Sequence, residues 1–522
     1  MVRSESIGGS PLSRAARAGQ LSQWYRPAPT DAAGWSVYAR GVIDSVPTTW
    51  FDELRDAISP TGGAAARLNR SAAGRGLVVT TGQQPGLFGG PLMTLVKAIS
   101  ARALADALQE RTGLPVAPVF WAATDDADFD EAAVVSVALD GGPTELRLEQ
   151  RAPAGTPMAR TLIDSEIARH AAVLRDACGS APHHSFLDAA LDAWKDGATV
   201  GDAYVTLLRQ VLEPLEISVL DASHPDVTRT GRPLLQRAAA AAGSISTATH
   251  KRIAEITAAG YKPQVEEVPG LSLVFMHSGG VKRRLPIEEA ASSATARDAR
   301  LSATVLLRPV LERSMLPSAA YVAGPGELAY FAQVSAVADQ LGVPAPLVVP
   351  RWSATIIEPR IQRIMDRLDI SIDDLADPHA ADGRIARARL SPDAAHALQS
   401  LRSHMRSDID NLRRANTGIV PVRMLDGLQR ALEHRVERAE RRILAGVKRI
   451  ETDTMRQLAT ARGALFPFGV RQERKLAYVP FLARYGTPLL DRMLEAAQSH
   501  ARGLTAGSGG IEAPRAAAPA SA

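Results

Sequence analysis

The stretch GLVVTTGQQPGLFGGPL, residues 76–92, decides the fold class of this chain. Gly76–Thr80 is apolar and β-branched, and such a run predicts a short buried strand. A glycine-rich turn follows directly, and Pro91 stands where a helix accepts its first residue. The sequence therefore predicts a strand that passes through a glycine turn into a helix.

The flanking residues extend this pattern into a repeated α/β arrangement. Leu92–Arg111 has helical spacing, and the apolar run Val116–Ala123 predicts a second buried strand. The pattern returns in helix Ala203–Leu212, strand Ile217–Leu220, strand Ala319–Ala323, helix Leu328–Leu341 and strand Pro346–Val349. Leu271–His277 and Val281–Pro286 predict a β-hairpin between these repeats. Strand–helix–strand units need a parallel sheet, so we expect an interrupted α/β core.

Beyond residue 368 the periodicity becomes that of long helices. Apolar residues from Leu398 to Leu412 and from Leu425 to Ile450 recur at three- and four-residue steps. Two such helices joined by a polar turn predict an antiparallel coiled-coil hairpin, whose apolar stripe needs a partner surface. The predicted domains are a core over 1–368 with insertions near 141–205 and 226–300, a coiled-coil hairpin over 369–464, a segment over 465–502 that packs back on the core, and a disordered tail over 503–522.

The composition is that of an ordinary globular chain of 522 residues. Its 60 basic and 56 acidic residues leave a net charge of +4, too small to indicate a nucleic-acid-binding surface. The single cysteine, Cys178, excludes an intrachain disulfide and a cysteine-built metal site. No apolar run approaches the ~18 residues needed to cross a bilayer, and the first residues lack the apolar segment of a secretory signal. We expect a soluble, cytoplasmic protein that binds neither nucleic acid nor membrane.

The turn after the first strand is the strongest candidate for a ligand site. Gly82, Gly89 and Gly90 allow backbone N–H groups near a helix N-terminus to bind a phosphate or a carboxylate. The adjacent amides of Gln83 and Gln84 favour a site, because buried amides need partners. The turn matches neither the dinucleotide nor the P-loop fingerprint. Tight packing of the strand on the helix is the alternative explanation of its glycines.

A second candidate is the acidic run Asp125–Glu131, which follows the predicted strand Val116–Ala123. Ligands bind at the carboxyl ends of the strands in open α/β sheets. Carboxylates there could hold Mg²⁺ beside a nucleotide, accept hydrogen bonds from a sugar, or take a proton from an amine. We prefer Asp126 and Asp128 as the catalytic pair, and a solvated acidic loop is the alternative.

Further candidates come from a second glycine turn and from two cations. Gly324 and Gly326 stand before a predicted helix, and Glu327 at its start either contacts a ligand or caps the helix dipole. Arg308 could bind a carboxylate or phosphate, or form an ion pair between domains. Lys97 either contacts a ligand or is solvated. The eleven histidines show no metal-ligand spacing, so no metal site is predicted.

Several of these segments together resemble one known family, the bacillithiol-biosynthesis cysteine-adding enzymes (BshC). The resemblance rests on the motifs TTGQQPGLFGGPL (80–92), PVFWAATDDADFDE (118–131), ISVLDASHP (217–225), LLRPVLE (306–312), YVAGPGELAYFAQ (321–333), VPRWSAT (349–355) and LFPFGVRQERKLAYVPFLARYG (465–486). These motifs stand in family order and span most of residues 75–486.

The resemblance implies a Rossmann-type core, related in shape to class I aminoacyl-tRNA synthetases, and a coiled-coil domain that forms a homodimer. It also implies an amide-forming ligase that joins the cysteine carboxylate to the glucosamine amine of glucosaminyl malate. Because amide formation in water is uphill, we expect ATP as the activating cosubstrate, with Mg²⁺ as its companion ion. In this hypothesis Asp126 or Asp128 binds or deprotonates the amine, while Arg308 and Lys97 neutralise negative charge.

The chain departs from the family pattern in two places. Asp125–Phe129 reads Asp-Asp-Ala-Asp-Phe where the family usually has Glu-Asp-His-Asp-Phe, so Ala127 replaces a candidate general base. The His-x-Gly-His and Lys-Met-Ser-Lys-Ser segments of the synthetases are absent, so adenylation is not implied by the fold. Two other classes stay open: a nucleotide-dependent sugar or nucleotidyl transferase, and a non-catalytic scaffold built on the coiled coil.

Overall fold

A computed structural model of the chain describes residues 1–149, 152–296, 298–416, 418 and 420–506. The chain divides into two compact units. The core unit comprises Val2–Val137, Thr144–Ile356 and the chain from Glu473 onward. The helical unit comprises Met1, Ala138–Pro143 and Ile357–Gln472.

Twelve strands are present in the described residues. They are β1 (Val2–Ser4), β2 (Leu77–Gln83), β3 (Val116–Ala122), β4 (Val134–Leu139), β5 (Gly142–Arg147), β6 (Ser218–Asp221), β7 (Leu271–Ser278), β8 (Val281–Pro286), β9 (Arg300–Ala303), β10 (Ser318–Ala323), β11 (Val348–Pro350) and β12 (Ala354–Ile356).

The α-helices of the core unit surround its sheets, and those of the helical unit follow one another along the chain. The core unit contains α1 (Pro11–Arg17), α2 (Ala32–Asp44), α3 (Trp50–Ile58), α4 (Gly62–Ala73), α5 (Leu92–Thr112), α6 (Phe129–Ala132), α7 (Ile167–Cys178), α8 (Ser185–Ala193), α9 (Val200–Leu212), α10 (Pro225–Ala240), α11 (Ala242–Ala258), α12 (Ile287–Thr295), α13 (Arg308–Met315) and α14 (Pro325–Gln340). The helical unit contains α15 (Pro359–Leu368), α16 (Ile372–Ala376), α17 (Pro378–Ala388), α18 (Pro392–Ala415), α19 (Val422–Ile450) and α20 (Thr452–Leu465), and α21 (Val479–Thr505) returns to the core unit.

The centre of the core unit is a parallel five-stranded sheet in the order β11-β10-β2-β3-β6. Neighbouring strands pair in parallel throughout, and α5 connects β2 to β3 as the predicted strand–helix–strand unit requires. β2 and β3 are buried along almost their whole length, as expected for central parallel strands covered on both faces. The prediction of a Rossmann-type parallel core is confirmed.

One prediction about the first strand needs correction. β2 extends to Gln83, three residues beyond the predicted end at Thr80. Gly82 pairs with Trp121 and Gln83 with Ala122 in the ladder to β3, so both residues belong to the strand. A β-carbon on Gly82 would lie 2.9 Å from the carbonyl oxygen of Trp121, which explains the glycine by close strand packing.

A second, antiparallel sheet is inserted into the core unit. β7 and β8 form the predicted hairpin, and β9 pairs with the other edge of β7, in the order β8-β7-β9. The register places His277 opposite Arg300 and Lys282. This inserted sheet therefore gathers several polar side chains on neighbouring strands.

The last part of the core unit is fixed to the sheet region by a buried ion pair. The Nη1 and Nη2 atoms of Arg351 donate to the two carboxylate oxygens of Glu473 at 2.9 and 2.7 Å, and Ser353 Oγ donates to the same carboxylate at 2.9 Å. The carbonyl of Leu476 then accepts the Leu92 N–H at 2.7 Å. Such a pair is stable only with this full set of hydrogen bonds, because both ions have left water.

The helical unit contains the predicted hairpin. Cross-helix ion pairs join Arg413 to Asp426 at 2.7 Å and Arg406 to Glu433 at 3.5 Å. The earlier residue on α18 pairs with the later residue on α19. The two helices are therefore antiparallel, as predicted. A separate apolar cluster of α15, α16, α17 and α20 contains Leu375 and Leu458.

The unit boundaries differ in detail from the predicted domain ranges. The helical unit begins at Ile357 and ends at Gln472, whereas the predicted hairpin domain spans 369–464. α21 ends at Thr505, within the segment 503–522 that was expected to be disordered, and residues 507–522 lie outside the described residues. No helix in the part of the chain that the structure describes is both long and apolar enough to span a membrane.

Candidate active site

Three segments rich in predicted site residues meet at one edge of the central sheet. β2 ends at Gln83, β3 is followed by the acidic run from Asp125, and β10 is followed by the turn at Gly324. Because these neighbouring strands are parallel, their carboxyl ends lie at the same edge. The glycine turns and the acidic run therefore lie at the same edge of the sheet.

Lys97 and Glu327 form the centre of this edge. Lys97 Nζ lies 2.7 Å from Glu327 Oε2, donates to the carbonyl of Gly82, and donates to Gln83 Oε1 at 3.2 Å. Lys97 is only 2 % exposed, which excludes the alternative of a solvated lysine. Burial alone would raise the pKa of Glu327, but Lys97 beside it holds that pKa below its usual value. The pair is therefore a buried ion pair with its donors satisfied.

Arg308 extends the same network through two tyrosines. Its Nη2 donates to the hydroxyls of Tyr321 and Tyr330 at 3.1 Å each, and its Nη1 donates to Glu312 Oε2 at 3.2 Å. The Tyr321 hydroxyl in turn donates to Glu327 Oε1 at 2.5 Å. Arg308 is thus held within the core unit by several partners, so its position is fixed before any ligand arrives.

Glu312 has the most unusual carboxyl group of the network. Burial raises its pKa to about 7, and Arg308 opposes part of that rise. A carboxyl group with such a pKa exchanges its proton near neutral pH, which is the range that acid–base chemistry requires.

The two glutamines of the first turn contact the acidic run. Gln84 Nε2 donates to Asp126 Oδ2, and Gln83 Nε2 donates to Glu131 Oε1 at 3.4 Å. Asp126 Oδ1 also lies 3.6 Å from Lys282 Nζ of the inserted sheet. Burial raises the pKa of Glu131, and the neighbouring acidic side chains add to this rise. Both glutamines therefore belong to the polar edge, as the sequence predicted.

Asp128 has a different position from its predicted catalytic partner. It is exposed, and its Oδ1 accepts the Glu131 N–H at 3.2 Å as the N-cap of the short helix α6. Its backbone N–H donates to Asp126 Oδ1 at 3.3 Å, but its carboxylate caps the N-terminus of the helix. The structure therefore brings Asp126, and not the Asp128 carboxylate, into contact with other predicted site residues.

The glycines of the first turn do not present free amides. The N–H groups of Gly89 and Gly90 donate to the carbonyls of Gly86 and Leu87 at 2.8 and 3.0 Å. A β-carbon on Gly89 would lie 2.0 Å from the Tyr478 hydroxyl oxygen. These two amides are already paired and buried, so they do not fit the phosphate-binding role expected of them.

The second turn is occupied by its own carboxylate. The N–H of Gly324 donates to Glu327 Oε2 at 2.7 Å, which is the helix-capping alternative considered for Glu327. Gly326 lies in the first turn of α14, where a β-carbon would come no closer than 4.0 Å to Gln264 Nε2. Glu327 therefore has two roles at once, as a cap of α14 and as the partner of Lys97.

A cavity opens beside this network, at the ends of β3 and β6. Its wall contains Asp125 and Arg308 from the core side and His277 and Arg300 from the inserted sheet. Burial and the neighbouring Asp126 raise the pKa of Asp125, although Lys282 opposes that rise.

The sequence reasoning missed several of these residues. Asp125 was visible as the first acidic residue after β3, and Tyr321 and Tyr330 lie inside a quoted motif, but no local signal connected them to Arg308. His277 and Arg300 depend on the docking of a separate sheet, which the sequence does not show. Among the described residues no cluster of three histidine, cysteine or acidic side chains is arranged to hold a metal ion.

Comparison with known proteins places this geometry in a family. Residues 53–352 match the model described as "Bacillithiol biosynthesis BshC, N-terminal Rossmann-like domain", and residues 354–504 match "Bacillithiol biosynthesis BshC, C-terminal coiled-coil domain". The two matches divide the chain between β11 and β12.

Curated relatives agree with these matches. A protein of Koribacter versatilis named "Putative cysteine ligase BshC" is 30 % identical over 486 residues, which cover 88 % of this chain and 89 % of the relative. Proteins of the same name from Solibacter usitatus (30 % over 445 residues, 82 % and 84 %) and Heliobacterium modesticaldum (29 % over 502 residues, 88 % and 88 %) are also similar. The chain therefore belongs to the BshC family of bacillithiol biosynthesis.

Proposed function

We propose that this protein is an amide-forming ligase that joins the carboxylate of cysteine to the glucosamine amine of glucosaminyl malate. The naming of its relatives as cysteine ligases supports the reaction class. The observation that carries the proposal is a single cavity lined both by a carboxyl group, Asp125, and by guanidinium groups, Arg300 and Arg308. An acceptor for ammonium beside donors for carboxylate suits a substrate that carries both charges.

Asp125 is the group that we assign to the amine. An ammonium group cannot attack a carboxyl carbon until it has lost a proton, so a nearby base is required. The raised pKa of Asp125 brings its proton affinity closer to that of such a base. Asp126, bonded to Gln84 and near Lys282, holds the loop beside it. Ala127 has no titratable side chain, so we assign the proton transfer to these carboxylates.

Direct condensation of one carboxylate and one ammonium group would give an amide and one water molecule. The C–N bond forms, one C–O bond of the carboxylate breaks, and the nitrogen gives up two protons. Since this is uphill in water, we propose ATP as the cosubstrate that drives it: the carboxylate oxygen then leaves on a phosphate group of ATP instead of as water, the two protons pass to the base and to solvent, and Mg²⁺ would bind the phosphates. The paired amides of Gly89 and Gly90 do not offer a phosphate site, so no step is assigned to them.

The direct experiment supplies the purified protein with glucosaminyl malate, cysteine and ATP and measures the amide by mass spectrometry. We expect product with wild type and a loss of at least about 100-fold in kcat for Asp125→Asn, the usual effect of removing a general base. Asp130→Asn is the matched control, because Asp130 is an exposed carboxylate of the same run. Asp126→Asn separates the two neighbouring carboxylates.

Absence of product from a correctly folded protein with all three reactants present would count against the ligase. An unchanged kcat in both Asp125→Asn and Asp126→Asn would leave the reaction intact and overturn the assignment of the base to these carboxylates. Product that forms without cysteine would instead favour the transferase class.

We further propose that the hairpin of α18 and α19 forms a homodimer. The hairpin exposes large apolar side chains along both helices, which water does not favour. They are Leu401, Leu412, Val422, Met424, Leu428 and Ile443. Sedimentation of wild type against a Leu412→Glu/Leu428→Glu variant tests this: we expect a dimer and a monomer, respectively, and an unchanged dimer would contradict it.

A further inference from the structure

The two guanidinium groups of the cavity differ in how many partners they already have. Arg308 bonds to Glu312, Tyr321 and Tyr330 within the core unit. Arg300 makes one hydrogen bond, from Nη2 to the carbonyl of Ser223 at 2.9 Å, and forms no ion pair with the carboxylates of the described residues. A guanidinium has five N–H donors, so Arg300 retains donors for a ligand whereas Arg308 is largely saturated.

A second donor in the same cavity also lacks an acceptor. Trp121 is 3 % exposed, and its Nε1 atom has no hydrogen-bond partner among the described residues. A buried N–H without an acceptor is unfavourable, and an indole can only donate. The missing partner must therefore be an acceptor atom, which a carboxylate oxygen supplies.

His277 in the wall of the cavity is neutral, so the positive charge near it comes from neighbouring side chains. Burial, together with Arg300, Lys282 and Arg160, lowers the pKa of His277 to about 4. Its Nε2 lies 2.9 Å from Ser302 Oγ, so the ring is held by a neutral hydrogen bond. Of these cations only Lys282 has a carboxylate nearby, Asp126 at 3.6 Å, among the residues described.

Arg300 thus gives the wall that the inserted sheet contributes to the cavity a positive charge that no carboxylate of the described residues pairs with. We propose that Arg300 and the Trp121 N–H form a carboxylate subsite, which binds a free carboxylate of the dicarboxylate part of the amine substrate. This inference rests on the proposed function and deepens it. The central sheet would then hold the amine beside Asp125, while the inserted sheet selects substrates that carry a carboxylate.

Binding of small anions tests the subsite without requiring turnover. Isothermal titration calorimetry compares L-malate, succinate, glucosamine and inorganic phosphate on the full chain. We expect L-malate to bind wild type, and we expect Arg300→Gln and Trp121→Phe each to weaken its binding about tenfold or more, as loss of a hydrogen bond to a charged group predicts. Arg300→Lys, which keeps the charge but not the fork, should fall between Arg300→Gln and wild type.

Arg283→Gln is the matched control, because it removes the same charge from an exposed position on the inserted sheet, outside the cavity. Its affinity for L-malate should equal that of wild type. Circular dichroism and thermal unfolding of every variant confirm that the fold is retained. For Arg300→Gln, the KM for glucosaminyl malate should rise with little change in kcat, and the use of glucosamine alone should be unaffected.

The outcomes separate this inference from the ligase proposal. Malate binding that depends on Arg300, with no amide produced, supports the subsite and overturns only the reaction. Amide production with malate affinity equal in wild type and Arg300→Gln overturns the subsite and leaves the reaction intact. Phosphate that binds as tightly as L-malate, with the same dependence on Arg300, would also overturn the carboxylate assignment.

Discussion

The two glycine turns at the edge of the sheet look alike in sequence but have different physical reasons for their glycines. At the first turn, Gly89 adopts φ of +88° and lies against the Tyr478 hydroxyl, so it needs both a left-handed backbone and the absence of a side chain. At the second turn, Gly324 has φ of −72°, which any residue adopts, and its N–H donates a hydrogen bond to the Glu327 carboxylate. The first turn therefore needs its glycine for packing, whereas the second turn is held by the charge of Glu327.

This difference shows that a glycine-rich turn before a helix does not by itself indicate an anion-binding site. Both turns satisfy the sequence criterion for an anion site, yet both pair amides internally. The charges that line the cavity come instead from side chains of neighbouring elements, namely Arg308 of α13 and Arg300 of β9. In this fold the turns shape the edge of the sheet, and the proposed binding groups are the side chains around them.

The largest expected effect comes from the second turn. Glu327→Gln leaves the Lys97 ammonium buried without its carboxylate, so we expect a loss of about 3–5 kcal/mol in the free energy of unfolding, measured in urea. Asp339→Asn, an exposed carboxylate on the same helix, should change it by less than about 0.5 kcal/mol. Lys97→Met combined with Glu327→Gln should recover part of the loss; a double variant less stable than Glu327→Gln would contradict the ion-pair interpretation.

The next effect contrasts the two turns directly. Gly89→Ala adds a methyl group in contact with Tyr478 and a strained backbone, and should cost about 2–4 kcal/mol in urea unfolding. Gly324→Ala meets its nearest atom, Glu327 Oε2, at 3.4 Å and should cost less than about 1 kcal/mol. Tyr478→Phe in the Gly89→Ala background should restore part of the stability. Equal losses at the two glycines would remove the distinction between the turns.

The smallest effect extends the comparison to the charges behind the second turn. The pKa of Glu312 is raised from 4.5 to about 7. At a pH between these two values, the folded protein holds a proton that the unfolded chain has released. Stability contributed by this group therefore falls as pH rises, by about 2 kcal/mol between pH 5 and pH 7. Glu312→Gln should lack this part of the pH dependence, and identical slopes for the two proteins would contradict it.

The sequence predicted the regular elements well because they depend on local patterns. β2, α5 and β3 begin and end within about three residues of their predicted limits, since buried β-branched runs and helical spacing are read from neighbours along the chain. The edge residues Gln83, Gln84 and Asp126 were also found locally, as polar residues at strand ends.

The rest of the site depends on contacts distant in sequence. Nothing local distinguishes Lys97 from a solvated lysine, and its pairing with Glu327 appears only when α5 and α14 meet at the sheet edge. Asp126 and Asp128 were preferred although nothing local distinguishes the acidic residues of this run, and the helix cap that occupies Asp128 was not recognised. Arg300 reaches the cavity only through the docking of the inserted sheet.

The buried pair of Arg351 and Glu473 has a consequence for how the chain is made. The two residues are 122 positions apart, with the helical unit between them, so a ribosome adding about 5–20 residues per second needs roughly 6–24 s to pass from one to the other. Throughout that interval the nascent core lacks the carboxylate for Arg351, the carbonyl that receives Leu92 and the ring that fills the space above Gly89. The core unit is therefore completed only when the segment from Glu473 onward has been made, and a chain cut after the hairpin would leave that unit unfinished.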